Sequence, residues 1–260
     1  MDLQLKDKTA LVTGSTAGIG FSIARQLLQE GATVYVNGRS QQRVDEAIHL
    51  LKASQPQAKV FGVAADFSKV EEVNQLIGRV PAVDILINNV GIFETKNFTA
   101  IPDADWTHFF EVNVLSGVRL SRHYLPGMLK QNWGRILFIS SESAINIPVE
   151  MIHYGMTKTA QLSVSRGIAE LTRGTNVTVN SVLPGPTRSE GLEKMVEKEK
   201  MTVKEAETPF FQKARPTSLL QRFASTDEVA NLVTYLSSPL SSATNGAALR
   251  VDGGVVKTIF

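Results

Sequence analysis

The chain has 260 residues, 43% of them apolar and 20% charged, with a formal net charge of +2. That composition suits a globular protein and excludes a disordered, collagen-like or coiled-coil chain. So small a charge also argues against nucleic acid as a main partner. Cysteine is absent, which removes disulfides, thiolate nucleophiles and cysteine-based metal sites. No two of His49, His108, His123 and His153 lie within five residues of each other, so no metal site is expected. Residues 1–8 lack the apolar stretch of a signal peptide, and no apolar run approaches the roughly eighteen residues of a membrane span. The expectation is a soluble, cytoplasmic protein without a membrane partner.

In chain order, short apolar runs alternate with helical spacings. A strand at Thr9–Thr13 leads through a Gly-rich turn into a helix at Ile19–Glu30, closed by Gly31. Strand Thr33–Asn37, helix Gln41–Ala53 and strand Lys59–Ala64 follow. Ser68 is placed to cap a helix at Val70–Arg79, before strand Val83–Asn88. Asp105 looks like the cap of a long helix reaching Gln131, followed by strand Arg135–Ser140. Helix Ile152–Arg173, strand Val177–Leu183, helix Asp227–Ser237 and strand Ala248–Val251 complete the pattern. No repeat or flexible linker interrupts it. The fold class is therefore α/β: a single doubly wound Rossmann domain over 1–260, about seven parallel strands with helices on both faces. The alternation stops between residues 189 and 217. There a charge-rich stretch (Glu193, Lys194, Glu197 to Lys200, with Leu192, Met195 and Val196 interleaved) precedes Phe210 and Phe211. This segment reads as a polar helix ending in exposed aromatics, a flap over a ligand; a solvated helix with two core phenylalanines is the alternative.

Gly14, Gly18 and Gly20 form a G-x-x-x-G-x-G turn between the first strand and an amphipathic helix. Glycines there allow a tight reversal, approach of a pyrophosphate and close helix–strand packing, and the helix N-terminus offers free N–H groups to phosphate. At the end of the second strand, Val36-Asn37-Gly38-Arg39-Ser40 lacks the carboxylate that would bind a ribose 2′-hydroxyl. Arg39 and Ser40 suit a 2′-phosphate, so NADP(H) is favoured, with NAD(H) possible. A solvated Arg39 with loose selectivity is the alternative.

Thr13-Gly14-Ser15-Thr16-Ala17-Gly18-Ile19-Gly20 resembles the cofactor turn of the short-chain dehydrogenase/reductase family. Asn88-Asn89-Val90-Gly91 is similar to the family's Asn-Asn-Ala-Gly, and Asn113 stands where the family has its catalytic Asn. Ser141, Tyr154 and Lys158 match its Ser…Tyr-x-x-x-Lys. Pro184-Gly185 and Val251-Asp252-Gly253-Gly254 match later motifs, so the resemblance covers nearly the whole chain. It implies cofactor contacts from Gly14, Ser15, Thr16, Gly18, Ile19 and Gly20. It also implies that Asp66 and Phe67 meet adenine, that Asn89, Val90 and Gly91 line the adenosine ribose, and that Pro184, Gly185, Thr187 and Ser189 lie at the nicotinamide. Family members commonly have Ile or Val at position 187 and Thr at 189, and many NADP-dependent ones carry a basic residue at position 17, where this chain has Ala17. Arg39 is then left to discriminate.

Tyr154 and Lys158 are four apart on a helix and share a face. An ammonium about 6 Å from a phenol favours phenolate by about 3 kcal/mol at an effective dielectric near 20. The expected step is transfer of a hydride to a carbonyl carbon, with Tyr154 as acid–base and Ser141 as hydrogen-bond donor to the same oxygen. The resemblance further implies that Lys158 grips the nicotinamide ribose and that Asn113 holds a water feeding Lys158. Ser140 and Ser143 are alternative donors, and Asn113 pinning a backbone group is an alternative role. His153 is expected at the surface or at the pocket edge.

Ile92, Phe93, Ile145, Ile147, Pro148, Val149, Met151, Met195, Phe210 and Phe211 point to an apolar or amphipathic carbonyl substrate. Glu94, Lys96, Glu142 and Arg188 are its candidate polar readers. Many similar family members are 3-oxoacyl-(acyl carrier protein) reductases, which need a basic patch; Lys130 and Arg135 make only a mild one. A sugar or hydroxy-acid dehydrogenase is another reading, and a non-catalytic dinucleotide sensor a remote one. Apolar residues on several faces of the two long helices, with the family resemblance, imply a homotetramer.

Overall fold

A computed structural model describes residues 2–198 and 200–259, and of Lys194, Met195 and Lys198 the main chain only. Strands β1 (Thr9–Val12), β2 (Thr33–Gly38), β3 (Val60–Ala64), β4 (Ile85–Asn88), β5 (Gly134–Ile139) and β6 (Val177–Pro184) alternate with helices α1 (Gly18–Gln29), α2 (Gln41–Ser54), α3 (Val70–Arg79), α4 (Asp103–Phe110), α5 (Ser116–Lys130) and α6 (Ile152–Glu170). The chain continues through β7 (Thr187–Arg188), α7 (Glu190–Lys198), α8 (Val203–Lys213), β8 (Ala224–Ser225), α9 (Thr226–Leu236) and β9 (Ala248–Val251). Seven strands form one parallel sheet in the order β3-β2-β1-β4-β5-β6-β9, and β7 pairs with β8 apart from it. This is the doubly wound Rossmann architecture expected.

Two apolar layers hold the sheet. Ile23, Leu27, Val44, Leu51, Val229 and Val233 bring α1, α2 and α9 onto one face. Val73, Leu76, Leu120, Tyr124 and Met128 bring α3 and α5 onto the other, with Ala169 of α6. Strands β4, β5 and β6 are buried along their whole length, so neither face shows the alternation of a half-exposed strand, and even Arg135, Thr178, Asn180 and Ser181 are buried. Strand order reverses between β1 and β4, so their carboxyl ends open a crevice where an α/β sheet binds its ligand.

Three expectations need correction. The helix expected at Asp105–Gln131 begins at Asp103, after an extended Pro102, and is divided by a π turn at Glu111–Leu115. Asp105 lies inside its first turn, where its carboxylate pairs with Lys96 at 2.5 Å. Ser68 does not cap α3: Lys69 occupies the cap position, while the Ser68 N–H and hydroxyl both donate to Asp66. The charged segment is two helices, because Thr202 and Glu205 form a capping box that starts α8. Phe211 at its end is buried and packs with Phe210 and Phe223, ring centroids 5.1–5.2 Å apart. Glu199 and the side chains of Lys194, Met195 and Lys198 lie outside the described residues.

Candidate active site

At the end of β1 the chain turns through Gly14, whose φ of +60° is the left-handed conformation that glycine adopts without strain. Gly20 serves a different purpose: a Cβ there would stand 2.5 Å from the Gly14 carbonyl oxygen and 2.6 Å from Asn89 Nδ2. Neighbouring side chains fix the turn. Asn37 Oδ1 accepts from the Gly14 N–H at 3.0 Å, and its Nδ2 donates to the Val63 carbonyl at 3.0 Å. Asn89 Nδ2 donates to the carbonyls of Thr13 and Gly14, and the Thr13 hydroxyl accepts from the N–H groups of Asn89 and Val90. Sequence reasoning passed over Asn37; a buried amide at a strand's carboxyl end was the signal available.

A cavity of about 280 Å³ opens beside this turn, lined by Gly14, Arg39, Asp66, Phe67, Asn89, Val90 and Gly91, among others. Open backbone at the glycines and a cation at the rim fit a dinucleotide. Arg39, at this rim, acts electrostatically on Asp66. Burial pushes Asp66 up, but the Ser68 bonds, Lys69 and Arg39 hold its carboxyl below the usual range. The hydroxyls of Ser15 and Ser40 are each held by nearby backbone. The Ser15 hydroxyl donates to the Val12 carbonyl and accepts from the Asn37 N–H, and Ser40 caps α2 by accepting from the Arg43 N–H. The Thr16 methyl lies over Gly38.

A second cavity of about 300 Å³ adjoins the first at Asn89 and Gly91. Ile19, Ser141, Tyr154, Lys158, Pro184, Gly185, Thr187 and Ser189 all reach it. Ser141 precedes a short 3-10 turn and its hydroxyl oxygen accepts from the Ser143 N–H at 3.1 Å, which leaves its own proton to be donated. The alternative donors are engaged: Ser140 donates to the Lys158 carbonyl, and Ser143 lies against the Glu142 carboxylate. Thr187 donates to the Gly185 carbonyl, and Ser189 accepts from the Leu192 N–H at the start of α7.

Lys158 is buried, with Nζ donating to the Ile139 carbonyl at 2.9 Å and to Gln161 Oε1 at 3.4 Å. Nζ stands 5.6 Å from the centre of the Tyr154 ring, as helical spacing requires. The electrostatic expectation is corrected, however. Burial pushes Tyr154 up to about 12, against the opposing pull of Ser141, and pushes Lys158 down to about 7. Withdrawal from water is the leading cause for both groups. The phenol is therefore held in its protonated form, the form that can donate.

Asn113 sits in the π turn with its side chain fully engaged. Oδ1 accepts from the Ile92 N–H at 2.8 Å, and Nδ2 donates to the Ile92 carbonyl and the Thr157 hydroxyl. Its carbonyl accepts from Gln161, whose other end receives Lys158. It thus fixes the strand-end segment after Gly91, and lines neither cavity itself. His153 is not at the surface: it is fully buried between Trp106 and Phe109. Burial lowers its pKa.

The wall of the second cavity is mostly apolar, with Phe93, Met151, Leu192, Phe210 and Phe223. Ile145, Ile147 and Val149 are exposed and do not line it. Three of the four expected polar readers are spent elsewhere: Glu94 and Lys96 belong to the pair with Asp105, and Arg188 bonds Glu193 at 3.0 Å. Only Glu142 lines the cavity, joined by Arg215, which the sequence reading did not single out. Arg135 is buried against Trp133, so it offers no surface charge to an acidic carrier. Among the described residues no group of three His, Cys, Asp or Glu could hold a metal ion, and no helix is long and apolar enough to cross a membrane.

Comparison with known proteins agrees with this geometry. The family model for short chain dehydrogenase matches residues 8–200. The uncharacterized oxidoreductase YvaG of Bacillus subtilis (strain 168) is 52% identical over 264 residues, covering 100% of both chains. The 3-oxoacyl-(acyl-carrier-protein) reductase FabG of Aquifex aeolicus (strain VF5) is 34% identical over 259 residues, 98% of this chain and 100% of that one. L-sorbose reductase from Gluconobacter frateurii, solved with NADPH and L-sorbose, superposes with a TM-score of 0.92 at 30% identity, covering 100% of both chains. The chain belongs to the short-chain dehydrogenase/reductase family. It is an oxidoreductase that uses NAD(P) and acts on a small molecule.

Proposed function

We propose that this enzyme is an NADPH-preferring reductase of a small carbonyl compound, with Tyr154 as its acid–base group. One observation supports this above the others: Ser141, Tyr154 and Lys158 converge where the apolar cavity meets the glycine-lined one. Gly14, Gly18, Ile19, Gly20, Asn89, Val90 and Gly91 would hold the dinucleotide, Asp66 and Phe67 its adenine, and Pro184, Gly185, Thr187 and Ser189 its nicotinamide end. When bound, the reduced nicotinamide supplies the hydride.

Tyr154 delivers its phenolic proton to the carbonyl oxygen as that oxygen gains negative charge. Ser141, its acceptor side already occupied, donates a hydrogen bond to the same oxygen. Lys158 stands beside the phenol, aligned by the Ile139 carbonyl and Gln161, and would hold the nicotinamide ribose. Asn113 positions the Gly91–Ile92 wall and, through its carbonyl and Gln161, the lysine. Arg39 is the reader of a 2′-phosphate: it lines the first cavity and no carboxylate follows β2. The NADPH of the Gluconobacter enzyme is in keeping with this preference.

Reduction of an acyl-carrier thioester finds little support, since Arg135 is buried and Lys130 stands without it. The assembly we infer is a homotetramer; Leu115, Val118, Leu162, Val164 and Ile168 are covered only in part within one chain. Light scattering on a sizing column tests it, and a monomeric mass overturns it.

The function is tested by following loss of NADPH and NADH absorbance against a panel of ketones, diketones, keto sugars and a 3-oxoacyl thioester. The expected result is turnover with NADPH in preference to NADH. In Tyr154→Phe, kcat falls at least about 100-fold while cofactor binding persists. Retention of turnover in that variant, or preference for NADH, overturns the reading.

A further inference from the structure

The substrate cavity contains an arrangement that the hydride-transfer machinery does not use. Arg215, at the end of α8, and Glu142, next to Ser141, are both buried in its wall. Arg215 Nε donates to Glu142 Oε1 at 2.8 Å, and Nη1 donates to the Ala214 carbonyl at 2.8 Å. Nη2 has no protein partner among the described residues. The Phe210 ring lies beneath the guanidinium, 5.9 Å from Cζ to the ring centre.

A buried ion pair is a poor device for stability alone, because apolar residues of similar volume do as well or better. This pair lies in the wall of a largely apolar cavity, within electrostatic reach of the Tyr154 phenol. Its geometry is fixed from both sides. Glu142 holds one edge of the fork and is itself buried, so swinging the guanidinium away would leave a buried carboxylate without its cation. The free Nη2 is thus a rigid donor.

Charge decides what it reads. Glu150 Oε1 lies 4.0 Å from Nη1, too far for a direct bond, and also lines the cavity. Asp252 is a further carboxylate felt by Glu142. At the guanidinium itself stand Glu142, bonded to it, and Glu150, so its charge is already met and an incoming anion gains little there. A neutral hydroxyl meets a donor in Arg215 and an acceptor in Glu150, and has one group for each.

We propose that Arg215, braced by Glu142 and faced by Glu150, selects a neutral carbonyl substrate that bears a hydroxyl group, against both the deoxy ketone and the keto acid of the same skeleton. This rests on the carbonyl-reductase reading above and names its substrate class.

The test compares kcat/KM, with NADPH, for a matched set: a hydroxyketone, its deoxy ketone and the corresponding keto acid. Ratios within one preparation cancel differences in active fraction. The wild-type enzyme is expected to favour the hydroxyketone over either by at least about 30-fold, since an unmet buried donor is costly. In Arg215→Lys, which keeps a cation for Glu142 but loses the second donor, that ratio falls to within about threefold of unity, mainly through KM. The double variant Glu142→Leu/Arg215→Met, which leaves no lone charge, gives the same collapse. Preference for the keto acid or the deoxy ketone in the wild type, or a ratio unchanged in Arg215→Lys, overturns the proposal. If no ketone is turned over, the reductase reading falls separately. Calorimetric titration of the hydroxyketone into the enzyme–NADPH mixture then decides this one: saturable binding weakened in Arg215→Lys upholds it, and no binding overturns it.

Discussion

The two cavities share Asn89 and Gly91 but are built by different means. The cofactor end is made of backbone at the carboxyl ends of β1, β2 and β4, held by the side chains of Thr13, Asn37 and Asn89. The substrate end is closed by side chains from the stretch after β6, including Leu192, Phe210 and Arg215. A backbone-built site tolerates few substitutions at its glycines and amides. A side-chain-built site can change its ligand without disturbing the sheet.

The sharpest way to break this contrast is at Gly20. Gly20→Ala would drive a methyl group into the Gly14 carbonyl and Asn89. Overpacking of that kind costs about 1–3 kcal/mol, and dinucleotide binding should fall below detection in a fluorescence titration. A near-normal Kd would show that the turn is more plastic than described. Next comes Asn37→Ala, which strands the Gly14 N–H and the Val63 carbonyl. A loss of about 1–3 kcal/mol in denaturant unfolding is expected, with weaker binding of NADPH and NADH alike. Arg39→Ala should act on only one of them: Kd for NADPH rises about 10- to 100-fold, while that for NADH stays within about threefold. Equal loss for both would remove Arg39 from the discrimination.

The last effect concerns Lys158 and leaves the cavities themselves aside. Its folded-state pKa of about 7 lies below the ordinary 10.5, so the unfolded chain binds more protons between those values and stability rises with pH across that window. The penalty of the buried cation is fully present below about pH 7. Lys158→Met should therefore gain about 1–3 kcal/mol over the wild type at pH 6, a gain that shrinks towards pH 10. Thermal unfolding at the two pH values measures it; a gain independent of pH would mean that packing, not charge, sets the difference.

The same contrast governs what could be read from the sequence. The expected seven strands and flanking helices appear because continuous apolar runs and helical spacings report burial directly. Gly14, Gly20, Tyr154 and Lys158 were legible because their local spacing fixes their geometry. Arg215 was not, since its relation to Glu142 spans 73 positions and depends on where α8 ends. Asp105 and Ser68 were misread as caps because each has a competing partner, Lys96 and Asp66, that sequence distance alone does not rank. His153 was misplaced because its neighbours Trp106 and Phe109 come from another helix. The ionisation of Tyr154 was misjudged for a related reason: spacing reveals the nearby lysine but not the loss of water around both groups.

One contact joins the two ends of the cleft. Arg43, in the first turn of α2 beyond Arg39 and Ser40, reaches Glu190 at 2.7 Å, where α7 begins. Both partners are well exposed, so the tie is a weak latch, sensitive to salt and readily exchanged. Such a tie can hold the start of α7 near α2 without fixing it there, so the rim of the cleft is fastened by a contact that added salt weakens.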